Sequence, residues 1–322
     1  MANTDTKAYG LPPSLKAGKE GLSKEGLAEV MALNGARPAA FLWATALAWL
    51  VIAAAIWAAV ASGSWVVGAL AVFAVASRQN VLGLLIHEQT HLGLGGKYGD
   101  WIANALCAYP LLAITVDGYA QLHLTHHRDY FKATDPDFIR KSGDEWTFPK
   151  RPLDLLSLFI KDLLMINTIR MIKGKKVSGS TVAFVRRNPT PKWLRPLMLV
   201  GLAVILTWTG TWLYFLLFWV LPLVSVMPVF VRWGAICEHE YNTVDAQLLE
   251  STPLIVQTWW ERMLMPNLNF GMHPYHHIFP GVSFSELPKV HKIFQREGLV
   301  NEGNVFYGNA PYLKHLVRRV AV

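Results

Sequence analysis

Uncharged apolar runs divide the chain into membrane-like and water-like stretches. Ala39 to Val60 carries no charge over 22 residues, long enough for a helix to cross a bilayer. Ala61, Ser62, Gly63 and Ser64 then read as a tight turn, and a second apolar run extends from Trp65 to Ile86. Arg78, Gln79 and Asn80 interrupt that second run. Either the helix leaves the hydrocarbon near Ser77 and continues into water, or these side chains meet a substrate at membrane depth. Ile102 to Val116 is apolar over only 15 residues and contains Asn104 and Pro110, which predicts an interfacial or re-entrant segment. Pro196 to Val231 runs 36 residues without a charge. One helix of that length would reach ~54 Å, too long for a single crossing. Two helices turning near Thr209, Gly210 and Thr211 are expected.

The pattern predicts an all-α integral membrane protein with four spans at about 39–60, 65–86, 194–209 and 212–231. Residues 87–193 and 232–300 would form a cytosolic helical cap within a domain covering 38–300. Residues 1–37 would be a polar N-terminal arm without a secretory signal pattern, and 301–322 a C-terminal tail. The 30 Lys and Arg residues support the count, because none falls in the two outer turns. By the positive-inside rule both termini and both large polar regions face the cytosol, a bacterial inner membrane being the expected setting.

Composition agrees: 52% of residues are apolar, 16% are charged and the formal net charge is +8. With runs this apolar, the basic excess points to a membrane surface and away from nucleic acid. Cys107 and Cys237 are far apart in no metal-type spacing and are expected as free core thiols.

Nine of the 11 histidines fall in or beside short groups. His87-Glu88-Gln89-Thr90-His91 is an HxxxH box, whose two imidazoles share one helix face at i and i+4. The same string reads as HExxH, the pattern of zinc proteases, but five residues alone say little. His123-Leu124-Thr125-His126-His127 and His273-Pro274-Tyr275-His276-His277 are both HxxHH boxes, and His239 stands between Glu238 and Glu240 just past the last span. Adjacent helical histidines diverge by ~100°, so two neighbouring ions accommodate them better than one. Imidazole suits zinc, copper, iron and nickel. A single zinc needs only four ligands, and nine candidates exceed that. His291 and His315 stand apart and are expected to hold no metal.

With these boxes the chain resembles the membrane fatty acid desaturase and hydroxylase superfamily from about residue 40 to 300. Arg232…Glu238-His239, His276-His277-Ile278-Phe279-Pro280 and Glu286-Leu287-Pro288 add to the similarity. The resemblance implies four membrane helices under a cytosolic cap and a non-haem di-iron centre that activates dioxygen with two external electrons. The implied ligands are His87, His91, His123, His126, His127, His239, His273, His276 and His277. Ala235, four residues before His239, departs from the asparagine of acyl-CoA desaturases of the stearoyl type, whose first box is also longer. The three boxes look more like those of sphingolipid desaturases, carotenoid ketolases and bacterial acyl-lipid desaturases. Asp135-Pro136-Asp137-Phe138 is similar to a stretch of the ketolases.

The expected reaction is desaturation of a fatty acyl chain. Alternatives with the same iron site are hydroxylation, ketolation and oxidative decarboxylation to a terminal alkene. Readings of another class are a zinc-dependent membrane hydrolase and a non-catalytic metal transporter or haem protein. With no fused haem domain in the sequence, a ferredoxin, rubredoxin or cytochrome is expected as donor. The 15 Lys and Arg of residues 128–195, among them Lys173, Lys175, Lys176, Arg186 and Arg187, offer a docking face for such an acidic donor or for anionic lipid. Carboxylates near the boxes, Glu88, Asp129, Asp135, Asp137, Glu238 and Glu240, are candidates to orient ligand rings. Glu88 and Glu238, which adjoin ligands, are preferred. Trp259, Trp260 and Tyr275 either line a substrate tunnel or serve interfacial and core packing.

Overall fold

The computed structural model describes residues 15–112, 115–173, 186, 188–302 and 305–317. Among these, three helices are long and apolar enough to cross a bilayer: α1 (Pro38–Ser62), α2 (Trp65–Thr90) and a third, Trp212–Glu238. Between α2 and that third helix lie α3 (Val116–Arg128) and α4 (Leu194–Thr209). The third long helix is therefore α5, and α6 (His273–Ile278) and α7 (Leu287–Arg296) follow it. At 16 residues, α4 measures ~24 Å, less than the ~30 Å hydrocarbon core.

The two inter-helix turns share one device. Gly63 after α1 and Gly210 after α4 both take the left-handed conformation, at φ 60° and 67°. An L side chain there would strain the backbone, so glycine lets each helix stop and reverse within two residues. Gly210 thus divides the 36-residue uncharged run. Within α5, Pro222 supplies no N–H to the ladder, and the helix absorbs this in two turns of π-helix, Leu216–Val220 and Pro222–Val226.

The Gly99–Ala103 helix continues as one π turn to Ala108 and reverses through Tyr109–Leu112. Trp49 of α1 donates to the Leu106 carbonyl at 3.0 Å, and Trp219 of α5 to that of Pro110 at 2.9 Å. The two indoles stack with centroids 5.3 Å apart. Asn104, in the segment expected to be interfacial or re-entrant, is buried and tied on both sides. Its Oδ1 accepts from the Val116 amide, starting α3, and its Nδ2 donates to Thr190 Oγ1, both at 2.8 Å.

Two members of the polar triplet in α2 also bond to protein. Gln79 donates to the Trp219 carbonyl at 2.9 Å and Arg78 to that of Met263. Neither end of the described residues stands apart. Backbone bonds run from Gly35 N–H to Gly281 O and from Arg37 N–H to Gly93 O, and Ser23 Oγ reaches Glu297, so residues 15–37 pack on α6 and α7. Phe306–Tyr307 pairs in parallel with Ile255–Val256, and Tyr312 donates to the Ile236 carbonyl. Cys107 and Cys237 are buried and free.

Candidate metal centre

Four elements deliver the histidines. The last turn of α2 carries His87, and His91 caps that helix. His123, His126 and His127 lie on α3, which Thr115 starts by accepting from the Gly118 amide. His239 caps α5 in extended conformation, which turns its ring out of the helix direction. His273, His276 and His277 lie on α6, where Pro274 occupies the first turn without losing a hydrogen bond.

These side chains gather in two clusters. His87, His91, His123 and His276 bring ring nitrogens within 4.8 Å of one another, as do His126, His239 and His277. His127 Nε2 joins the first, 3.0 Å from His123 Nε2 and 3.1 Å from His276 Nε2. His273 Nε2 adjoins the second, 3.2 Å from His277 Nε2. His91 and His123 face each other at 3.0 Å, His239 and His277 at 3.1 Å, and His126 and His239 at 3.2 Å, all through Nε2.

Such contacts cannot all be hydrogen bonds. In the ring plane an Nε2 offers one proton or one lone pair, yet His123, His127, His239 and His277 each face two others. Two buried nitrogens of His87 have no partner at all. Burial, reinforced by neighbouring imidazoles, holds His91, His123, His127, His273, His276 and His277 well below the usual histidine range. Burial does the same to His239. Neutral imidazoles with converging lone pairs form the donor set of a soft or borderline cation. Donors at right angles on bonds of ~2.0–2.1 Å lie ~3 Å apart, which matches the spacing found.

Ring orientation comes from a second layer. Asp135 is fully buried and accepts from His126 Nδ1 at 2.8 Å and from the amides of Phe131 and Asp137 at 2.9 and 2.8 Å. That bond puts the His126 proton on Nδ1 and leaves Nε2 its lone pair. Thr252 Oγ1 lies 3.0 Å from His239 Nδ1. Tyr119, one turn before His123, stacks on its ring at 5.4 Å. At the end of α2, Arg186 donates to the carbonyls of Gln89 and Thr90 at 2.9 Å and pairs with Asp100, tying the first box in place.

The other singled-out residues lie as follows. Glu88 Oε2 accepts from the Phe284 amide at 3.3 Å. Glu238 is partly buried beside Lys141, Asp137 and His126, with no hydrogen bond to a ligand ring. Asp137 pairs with Arg140 and Lys141. Burial disfavours its charge, but Lys141, His126 and Arg140 outweigh that and hold it well below the carboxylate range. Asp129 pairs with Arg128, and Glu240 accepts from Tyr312. Tyr275 is a core residue bonded to His291 Nδ1 at 2.8 Å, whereas Trp259 and Trp260 are exposed. His291 and His315 belong to neither cluster, and His315 lies 3.4 Å from Glu240. Lys175, Lys176 and Arg187 lie outside the described residues.

The family model described as fatty acid desaturase matches residues 63–307. The chain belongs to the fatty acid desaturase family. The match spans every histidine of both clusters and most of the 322-residue chain. A search of curated proteins found no match. For this desaturase-family chain, apolar helices, membrane association and a histidine-rich metal-type centre therefore belong together.

Proposed function

We propose that the chain is a dioxygen-dependent di-iron oxidoreductase that desaturates a fatty acyl chain. One observation carries the reading: in each of two adjacent sets of largely buried histidines the ring nitrogens lie within 4.8 Å of one another, one more set than a single ion would use. Iron fits a donor set made wholly of imidazole, and the family points to it. His87, His91, His123, His127 and His276 would hold one ion, and His126, His239, His273 and His277 the other. Bound iron would supply the oxidising power for an unactivated C–H bond, drawing on dioxygen and electrons from a ferredoxin-, rubredoxin- or cytochrome-type donor.

The protein's own part is positioning and exclusion. Asp135 keeps the His126 tautomer and ring plane, and Thr252 partners the His239 ring. Phe270, whose ring lies 4.4 Å from that of His87, and Tyr119 wall the first cluster with apolar surface. Such walls keep water from the site. In the proposed topology α4 is a fourth span, both ends of the chain are cytosolic and the histidines face the cytoplasm. The left-handed glycines at two turns without Lys or Arg support it.

Lipid analysis of a host expressing the chain tests the reaction. New double bonds in acyl chains are expected in air and none without oxygen. A product formed equally without oxygen would overturn the proposal.

A further inference from the structure

Two short helices of the expected cytosolic cap end on carbonyls that span residues satisfy. Pro152–Leu163 ends at Leu163, whose carbonyl accepts from Ser225 Oγ of α5 at 2.5 Å. Trp259–Leu264 ends at Leu264, whose carbonyl accepts from Ser77 Oγ of α2 at 2.7 Å. The Met263 carbonyl before it accepts from Arg78. A helix leaves its last four carbonyls unpaired, and in water the solvent satisfies them. Donors reaching out from spanning helices are what such an end needs where water is absent.

The depth agrees. Ser225 lies six residues inside the end of the uncharged run at Val231, ~9 Å along the helix axis. In-plane helices settle ~5–10 Å into the boundary between headgroups and acyl chains. Ser77 is the last residue of α2 before its first charge. Thr168, on the returning helix Ile166–Lys173, donates to the Val224 carbonyl at 3.1 Å, so both arms of that hairpin rest on the same level of α5.

Their outward faces are apolar and, among the described residues, uncovered. Pro152–Leu163 buries Leu155 and Leu158 against the protein but turns Leu153 (77% exposed), Leu156 and Ile160 outward, and Leu164 (59%) follows at the tip. Trp259 (74%) and Met263 (62%) do the same on the other helix. Exposed Arg151 and Arg170 flank the first patch and Arg262 the second, the arrangement of basic and aromatic side chains at headgroup level.

We propose that the 152–169 hairpin and the 259–264 helix lie within the cytoplasmic leaflet as in-plane anchors, with lipid as the partner of their outward faces. The inference rests on the membrane reading of α1, α2 and α5 and is independent of the reaction. It continues the lipid-facing surface of those spans and brings the leaflet up beneath the histidine clusters. It also explains why Arg78 lies in an apolar helix: its guanidinium supplies the Met263 carbonyl that solvent cannot reach.

The test places an environment-sensitive fluorophore at single cysteines, Leu164→Cys and Met263→Cys, in the full chain, with the buried Cys107 and Cys237 left in place. Trp57→Cys on α1 serves as the bilayer control and Lys289→Cys as the water control. The protein is held in phosphatidylcholine nanodiscs, with quenching by spin-labelled phosphatidylcholine compared with quenching by iodide. Probes at 164 and 263 are expected to lose fluorescence to the labelled lipid as the Trp57 probe does, and none to iodide. Iodide quenching matching the Lys289 probe, or quenching by neither agent, which would mean a protein cover, overturns the inference. A Trp57 probe quenched by iodide alone would instead remove the membrane reading beneath it.

Discussion

Asp135→Asn isolates the work of a carboxylate outside the proposed ligand set. Asp135 Oδ1 accepts from the amides of Asp137 and Phe138, capping residues 136–141, while Oδ2 accepts from His126 Nδ1 and the Phe131 amide. A carboxamide keeps the shape but has only one acceptor oxygen. The orientation that retains both cap bonds turns its NH2 toward His126 and Phe131. Nδ1 must then accept, the ring proton moves to Nε2, and the lone pair facing His239 and the metal is lost. Losing a ring-orienting partner of this kind costs ~10–100-fold in metal affinity, or ~1.4–2.7 kcal/mol. The fold should survive, because asparagine caps helices about as well as aspartate. The loss should fall on one cluster, since His126, His239 and His277 share one set of nitrogens and His87, His91, His123 and His276 another. Titration of the purified variant with a competing chelator, with iron measured by mass spectrometry, should show one ion leaving at 10–100-fold lower chelator while the other is held as before. Two ions bound with unchanged affinity would refute the tautomer argument, and equal weakening of both would refute the division into two sites.

Other substitutions probe separate parts of the account. His239→Ala should lose metal and activity as severely as His126→Ala, whereas His291→Ala, which only removes a partner of Tyr275, should keep both, as metal content and product assays will show. Arg232→Ala leaves the buried Asp162 carboxylate without its cationic partner, with only Asn167 still donating to it, and should destabilise the protein by ~3–5 kcal/mol, read as a lowered thermal midpoint in detergent. An unchanged midpoint would mean that water reaches Asp162. Ser62→Cys and Thr211→Cys should react with a membrane-impermeant maleimide from outside the cell. Labelling of either only from the cytosol would contradict four spans.

The gathering of the histidines was the most legible feature of the chain because helical geometry links spacing to direction. His at i and i+4 in 87–91, and at i, i+3 and i+4 in 123–127 and 273–277, converge on the centre. The break at Gly210 was legible for a similar reason, since no residue tolerates a left-handed helix end better. Orienting partners were less so: Asp135 stood among six candidate carboxylates, but Glu88 and Glu238 were preferred to it, and adjacency in sequence is not adjacency in space. Glu88 follows His87, but one step turns ~100° around a helix, so its carboxylate reaches the Phe284 amide. Asp135 lies eight residues beyond the second box and comes back to it only because the chain reverses at Phe131, which has φ 56°. Thr252, 13 residues past His239, left no signal. The 152–169 segment read as soluble because it lies in the basic 128–195 region, although it holds only one lysine, Lys161, and no arginine itself. Its leucines and isoleucines occupy two faces, one meeting α5 and the other exposed. Residues 15–37 read as a separate arm because polar sequence does not reveal backbone pairing such as that of Gly35 with Gly281.

The central claim is two iron ions held by histidine in one desaturase-family chain. Its most direct test is the metal content of protein purified from iron-supplemented cells, measured per chain together with the oxygen consumed on reduction in the presence of acyl lipid. Close to two iron ions per chain are expected, with oxygen uptake that disappears when iron is removed and returns when it is restored. Full activity with a single zinc ion and no oxygen uptake would contradict it and place the chain's chemistry among hydrolases.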